Sequence, residues 1–233
     1  MPQSRNPNVI LKRWNDEFAR IEKQYANLSY IDNVFWQVHV IISANPDLKK
    51  GGTFQSWLAF CYTRTVGVML RTFVDKRKDS VSLKSLLEDM KRHSKNVLTR
   101  DRFKSLYSSS LTPLAESCFD DIAGKKNNHI PKRVLQIEID KLDKAFEDLK
   151  DYLNRNIAHL SKHTVKRRPT YFYVRNRILD VYEVMKRCAL FLRAEDLGSP
   201  LPVMESTWLD VFKKPWLEKQ WVIPEYKKLN ELR

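Results

Sequence analysis

The sequence predicts an all-α protein: an up-and-down helical bundle with additional helices and a Trp/Pro-rich C-terminal extension. Three observations predict it. Apolar residues recur at steps of three and four along most of the chain, the period that buries one face of a helix. Prolines gather towards the two ends, at 2 and 7 and from 200 onward, which leaves the long middle free to be helical. Only five glycines occur, and Gly51–Gly52 is the one adjacent pair. No GxGxxG and no GxxxxGK[ST] is present, so dinucleotide and P-loop nucleotide folds are excluded.

The elements follow in order. Asn8 to about Asn27 reads as an amphipathic helix through Val9, Ile10, Trp14, Phe18, Ile21 and Tyr25. Tyr30–Ile42 reads as a second, apolar helix, ended by Asn45-Pro46. A third, with Thr53 as N-cap, is expected to run to about Lys78 through Trp57, Leu58, Cys61, Val68, Leu70 and Phe73. Ser80 or Ser82 caps a fourth with Leu83, Leu86, Leu87 and Met90 as its buried stripe. Thr99 caps a fifth, and Leu111–Ile122 is a short sixth. Gly124–Arg133 is a polar, basic loop. Val134 to about Thr164 then forms one long helix with Leu142, Phe146, Leu149, Leu153, Ile157 and Leu160 along one side. Pro169 forces a boundary, and Thr170–Ala194 is the last long helix. From Gly198 prolines alternate with Trp208, Trp216 and Trp221. The expected organisation is a helical domain over 1–197 and an extension over 198–233 that packs on the domain or on a neighbouring subunit.

Hydrophobic residues make up 42% of the chain and charged residues 30%, ample for a core. The formal net charge of +14 favours polyanionic partners. Cys61, Cys118 and Cys188 are isolated, so neither a disulfide framework nor a cysteine zinc site is expected, and a reducing cytoplasm fits. The N-terminus lacks a signal-peptide core, and no apolar run approaches the roughly 18 residues of a membrane span.

The stretch YLNRNIAHLSKH, Tyr152–His163, carries the chemistry. Arg155 and His159 stand four apart, one turn from each other on a helix face. Arginine grips phosphate through paired hydrogen bonds, and histidine moves a proton near neutral pH. Metal-free RNA cleavage can use such a pair. A base takes the proton of the 2′-hydroxyl, which attacks phosphorus while a cation steadies the developing charge. Asn156 or Asn154 would orient the imidazole or the phosphate. The plain structural alternative is a capping or interface histidine and an Arg155 paired with Asp151.

Together with LRTFVDKRKDSVSLKSLLEDM, Leu70–Met90, this stretch resembles the HEPN superfamily and more closely its AbiU2-like branch. The resemblance covers about Val9 to Ala194. It implies an all-helical bundle, a homodimer with two arginine–histidine motifs at one cleft, and a metal-independent RNase of a phage-defence or toxin–antitoxin system. It also implies His159 as the catalytic histidine. The family motif places four to six residues between arginine and histidine, whereas three separate Arg155 from His159. In the family register Leu153 takes the arginine position. Two readings follow: Arg155 works from one turn before His159, or the site is degenerate and the protein is a non-catalytic interaction module with an antitoxin or other partner.

Around that stretch lies a basic band: Lys162, His163, Lys166, Arg167, Arg168 and Arg175, with Tyr171 among them. Cations interleaved with aromatics suit phosphate contact and base stacking, although charge runs also serve as solvated faces. His159 and His163 have a helical metal-ligand spacing, but no HExxH glutamate accompanies them and lysines adjoin, so neither metal nor another cofactor is expected. Asp75 is expected either to turn towards the site helix or to pair with Arg71 or Lys78.

Overall fold

The computed structural model describes residues 6–49, 52–77, 79–152, 169–205 and 207–213. The chain divides into two compact units, Met1–Pro202 and Val203–Arg233. The described part of the first is built from helices joined by turns and loops: α1 Pro7–Ala44, α2 Pro46–Lys49, α3 Gly52–Thr72, α4 Leu83–Val97, α5 Arg100–Lys104, α6 Thr112–Ala123, α7 Lys132–Tyr152 and α8 Tyr171–Arg193. The all-α class is thereby established. Among the described residues, extended pairing is limited to one isolated bridge, Thr99 to His129.

The long spine is α1, with 38 residues and a length of about 57 Å. The Asn6 side chain accepts the Asn8 N–H at 2.9 Å and Pro7 sits at the first helical position, so the start is satisfied locally. Asn45 turns extended before Pro46, which ends the helix. The sequence reading split this element near Asn27–Tyr30. The helix runs through because no proline or glycine interrupts it, and Leu28 and Ser29 are buried there.

Cross-contacts give the direction of each neighbour. Gln24 meets Thr72, and Tyr62 reaches Asp32, so α3 descends along the upper half of α1. Trp14 meets Asp89, and the Lys84 N–H bonds the Phe73 carbonyl, so α4 continues the descent along the lower half. Lys84 and Lys91 meet Asp143 and Gln136, so α7 climbs antiparallel to α4. Arg193 reaches Asn15 and Glu22 while Arg175 reaches Asp32, so α8 descends along α1. Helices α1, α4, α7 and α8 pack in a closed ring, and α3 covers α1 above it. This is an up-and-down bundle whose first descending limb, α3 and α4, is broken in two.

The break follows from the way α4 starts. The third helix was expected to reach Lys78, but α3 stops at Thr72. Ser82 forms a reciprocal cap with Ser85, and its hydroxyl also donates to the Asp75 carbonyl at 2.7 Å. The carbonyls of Phe73 and Asp75 thus serve the start of α4. The buried stripe of α3 also differs from expectation. Tyr62, Val66 and Leu70 face inward, while Trp57 and Val68 are exposed, because four-residue steps through Tyr62 place those two on the far side.

Other elements match their expected positions closely. Thr99 caps α5 by accepting the Arg102 N–H at 3.3 Å, although α5 has only five residues. Gly124 ends α6 with φ of 91°, a conformation glycine takes without steric cost. The following loop is strapped down by Arg100, which donates to the Asp120 carboxylate and the Asn127 carbonyl. Arg102 donates to the Phe191 and Leu192 carbonyls at the end of α8, where a cation opposes the helix dipole, and burial pushes its guanidinium down to about 10. The part of the long seventh helix expected beyond Tyr152, with Leu153, Ile157 and Leu160, lies outside the described residues. In the second unit, Trp208–Lys213 forms a 3-10 turn in which Trp208 and Phe212 rings meet edge to face.

Leu86 and Leu87 are fully buried where α4 packs on α1 and α7. Replacing Leu87 by Ala is expected to cost about 2–5 kcal/mol in urea unfolding. The same change at Val9, exposed at 63%, should stay within about 0.5 kcal/mol. Equal losses at both positions would contradict this packing.

Candidate functional site

Of the residues singled out in the sequence, Arg155, Asn156, His159, Lys162, His163, Lys166, Arg167 and Arg168 lie outside the described residues. In sequence they fall between α7, described to Tyr152, and α8, two helices that are neighbours in the ring. Tyr171 and Arg175 are described. They occupy the first turns of α8, which begins after Pro169 with Thr170 accepting the Tyr173 N–H at 3.1 Å.

Both enter a cluster built by three helices. From α1 come Asp32, Phe35, Trp36 and His39; from α3 comes Tyr62. Phe35 and Tyr62 stack with centroids 3.7 Å apart, and Tyr171 meets Phe35 edge-on at 5.2 Å. His39 stacks on Phe35 at 5.9 Å and lies 6.5 Å from Tyr171. Pairs of this kind contribute about 0.5–1.5 kcal/mol each beyond their buried area.

Inside the cluster sits a carboxylate. Asp32 is 6% exposed, accepts the Tyr62 hydroxyl at 2.6 Å and has Arg175 Nε at 3.5 Å. The Arg175 guanidinium also lies over the Trp36 ring, 5.2 Å from its centre. Burial pushes the Asp32 carboxyl above its usual range; the Tyr62 hydrogen bond and the Arg175 charge pull it back without cancelling that effect. Tyr62 is raised as well, first by burial and then by Asp32. Arg175 keeps 30% of its side chain exposed, and a guanidinium has five donors, so engagement with Asp32 leaves donors for a second acceptor.

The periodicity reading assigned Arg175 to a basic band and did not single out Asp32. The available signal was a carboxylate inside the otherwise apolar run Tyr30–Ile42. A charge in such a run requires a partner, but the partner lies more than a hundred residues away.

Asp75 pairs with Arg77, whose Nε donates at 2.8 Å, and Lys78 lies outside the described residues. That hydrogen bond outweighs burial and holds the Asp75 carboxyl below its usual range. It lines a 950 Å³ cleft with Lys84, Asp143 and Glu147, so it does face α7, the helix that leads towards the His159 element. Lys84 is 3% exposed and paired with Asp143. Among the described residues no group of three or more His, Cys, Asp and Glu converges as a metal site, and no described helix is long and apolar enough to cross a membrane.

Compared with known proteins, the chain matches no family model, no curated protein and no solved structure.

The Asp32 geometry makes a signed prediction. Its folded pKa is raised, so protonation favours the folded state: that contribution is full below the unfolded value near pH 4 and is lost as pH rises through the folded value. Asp32→Asn removes the titration. Urea unfolding of parent and variant from about pH 4 to pH 7 should show the parent losing ground to the variant as pH rises. A pH-independent difference would contradict the account.

Proposed function

We propose that this protein binds RNA and cleaves it without metal, through Arg155, Asn156 and His159, as a component of a phage-defence or toxin–antitoxin system, in a homodimer of HEPN-like chains. The observation that carries the reading is the Arg155/His159 pair in a chain of net charge +14. An all-α bundle is compatible with the resemblance that suggested it. The continuity of the pair's sequence with the start of α8, where Arg175 and Tyr171 stand, adds a cation and an aromatic ring at the adjoining helix end.

In this mechanism His159 takes or delivers the proton of the 2′-hydroxyl, and Arg155 stabilises charge on the non-bridging phosphate oxygens. The 2′-hydroxyl requirement makes DNA a ligand and not a substrate.

A second reading is supported by a different observation. Phe54, Trp57 and Phe60 are exposed along α3, at 45%, 59% and 57%. Such a face suits a protein partner, and the short Arg155–His159 spacing is then the mark of lost catalysis.

Mixed cellular RNA incubated with purified protein in EDTA, beside His159→Ala prepared identically, separates the two. The first reading expects cleavage that the variant loses by about 100-fold or more. Equal cleavage by both would overturn the assignment to His159. Salt-sensitive RNA retention without cleavage by either would favour the non-catalytic module.

A further inference from the structure

We infer that the cleft between the upper end of α1, the start of α3 and the first turn of α8 is a nucleobase site, taking one unstacked base of a single-stranded RNA. The inference rests on the RNA-binding reading above and gives it a contact away from the Arg155/His159 pair.

Three observations carry it. The first is size: the cleft has a volume of 360 Å³, at the small end of ligand pockets, room for a single ring system. The second is its lining. Phe35, His39 and Tyr171 supply aromatic surface, Leu58 adds apolar contact, and Ser43 and Ser56 carry hydroxyls that both donate and accept. A flat heteroaromatic ring with polar edges matches that combination: its faces stack and its edges bond. The third is charge. None of the lining residues is acidic, so nothing there repels the phosphates on either side of the base.

The ring walls are held rigidly. Phe35 is clamped by the Tyr62 stack, and Arg175, tied to Asp32, fixes the turn of α8 that follows Tyr171. A base entering the cleft therefore meets a surface already in place, which lowers the ordering cost of binding.

The test uses a 12-nucleotide 2′-O-methyl oligoadenylate, which has no free 2′-hydroxyl to attack phosphorus, with a terminal fluorophore, in EDTA, with anisotropy read over a range of salt. The variants are His39→Ala, which removes an exposed ring, and Ser56→Trp, which fills the cleft from an exposed helix position. Unchanged melting temperatures show that both fold. Both should weaken affinity at least about fivefold while leaving the salt slope unchanged, because stacking is lost and phosphate contacts are kept. An abasic strand of the same length should bind the parent as weakly as the variants bind oligoadenylate. Parent-like binding by both variants would overturn the nucleobase site and leave RNA binding elsewhere intact. Binding of free AMP but not of the strand, lost in the same two variants, would overturn the assignment to a strand. Absence of any RNA binding by the parent would overturn the broader reading together with this one.

Discussion

The bundle depends on one apolar stripe. Ile10, Trp14, Phe18, Ile21, Tyr25 and Leu28 lie at three- and four-residue steps along α1, and all are buried. Removing such side chains from water contributes about 1.5–3 kcal/mol each. Helices α3, α4 and α8 are laid along this one element, and only α7 closes the ring from the far side. The length of α1 allows two descending segments to share it, which is why a break between α3 and α4 is tolerated.

Apolar burial does not by itself choose register, and here polar groups at helix crossings do. Asp89 gathers Trp14 Nε1 at 2.8 Å, Arg13 and Arg92; burial lifts its carboxyl, but these partners outweigh it and hold the carboxyl low. Lys84 with Asp143 and Glu138 with Arg187 repeat the pattern on α7. A one-turn slip of any of these helices would strand a charge in the core, at a cost larger than most single packing changes. Asp32 belongs to the same class and stands in the upper half of α1, paired with Arg175 of α8. There it ties α1, α3 and α8 together around an open aromatic cleft. The polar contacts at this end therefore stand beside the cleft, whose lining includes Phe35 and Tyr171.

How far the sequence could be read varies by element. The long helices were legible, because the three-to-four period and the caps at Ser82 and Thr99 are local signals, whereas the short α2 was not anticipated. Boundaries were less so. Nothing local marks Thr72 as the end of α3, since its cause is the demand of the α4 start for the Phe73 and Asp75 carbonyls. In the candidate site, Tyr171 and Arg175 were legible as aromatic and basic residues near one another. Their convergence with Asp32, Phe35, His39 and Tyr62 was not, because it depends on which turn of α8 meets which turn of α1.

The sequence by itself determined the all-α class, the strongly basic charge, the absence of glycine-rich phosphate loops and the caps that start α4 and α5. Each is a property of composition or of residues within one turn of each other. The tertiary structure alone decided that α1 is one unbroken spine, that α3 presents Trp57 outward, and that a buried carboxylate pairs with Arg175. Those outcomes turn on contacts between residues far apart in the chain, where side-chain packing and the cost of an unpaired buried charge outweigh local preference.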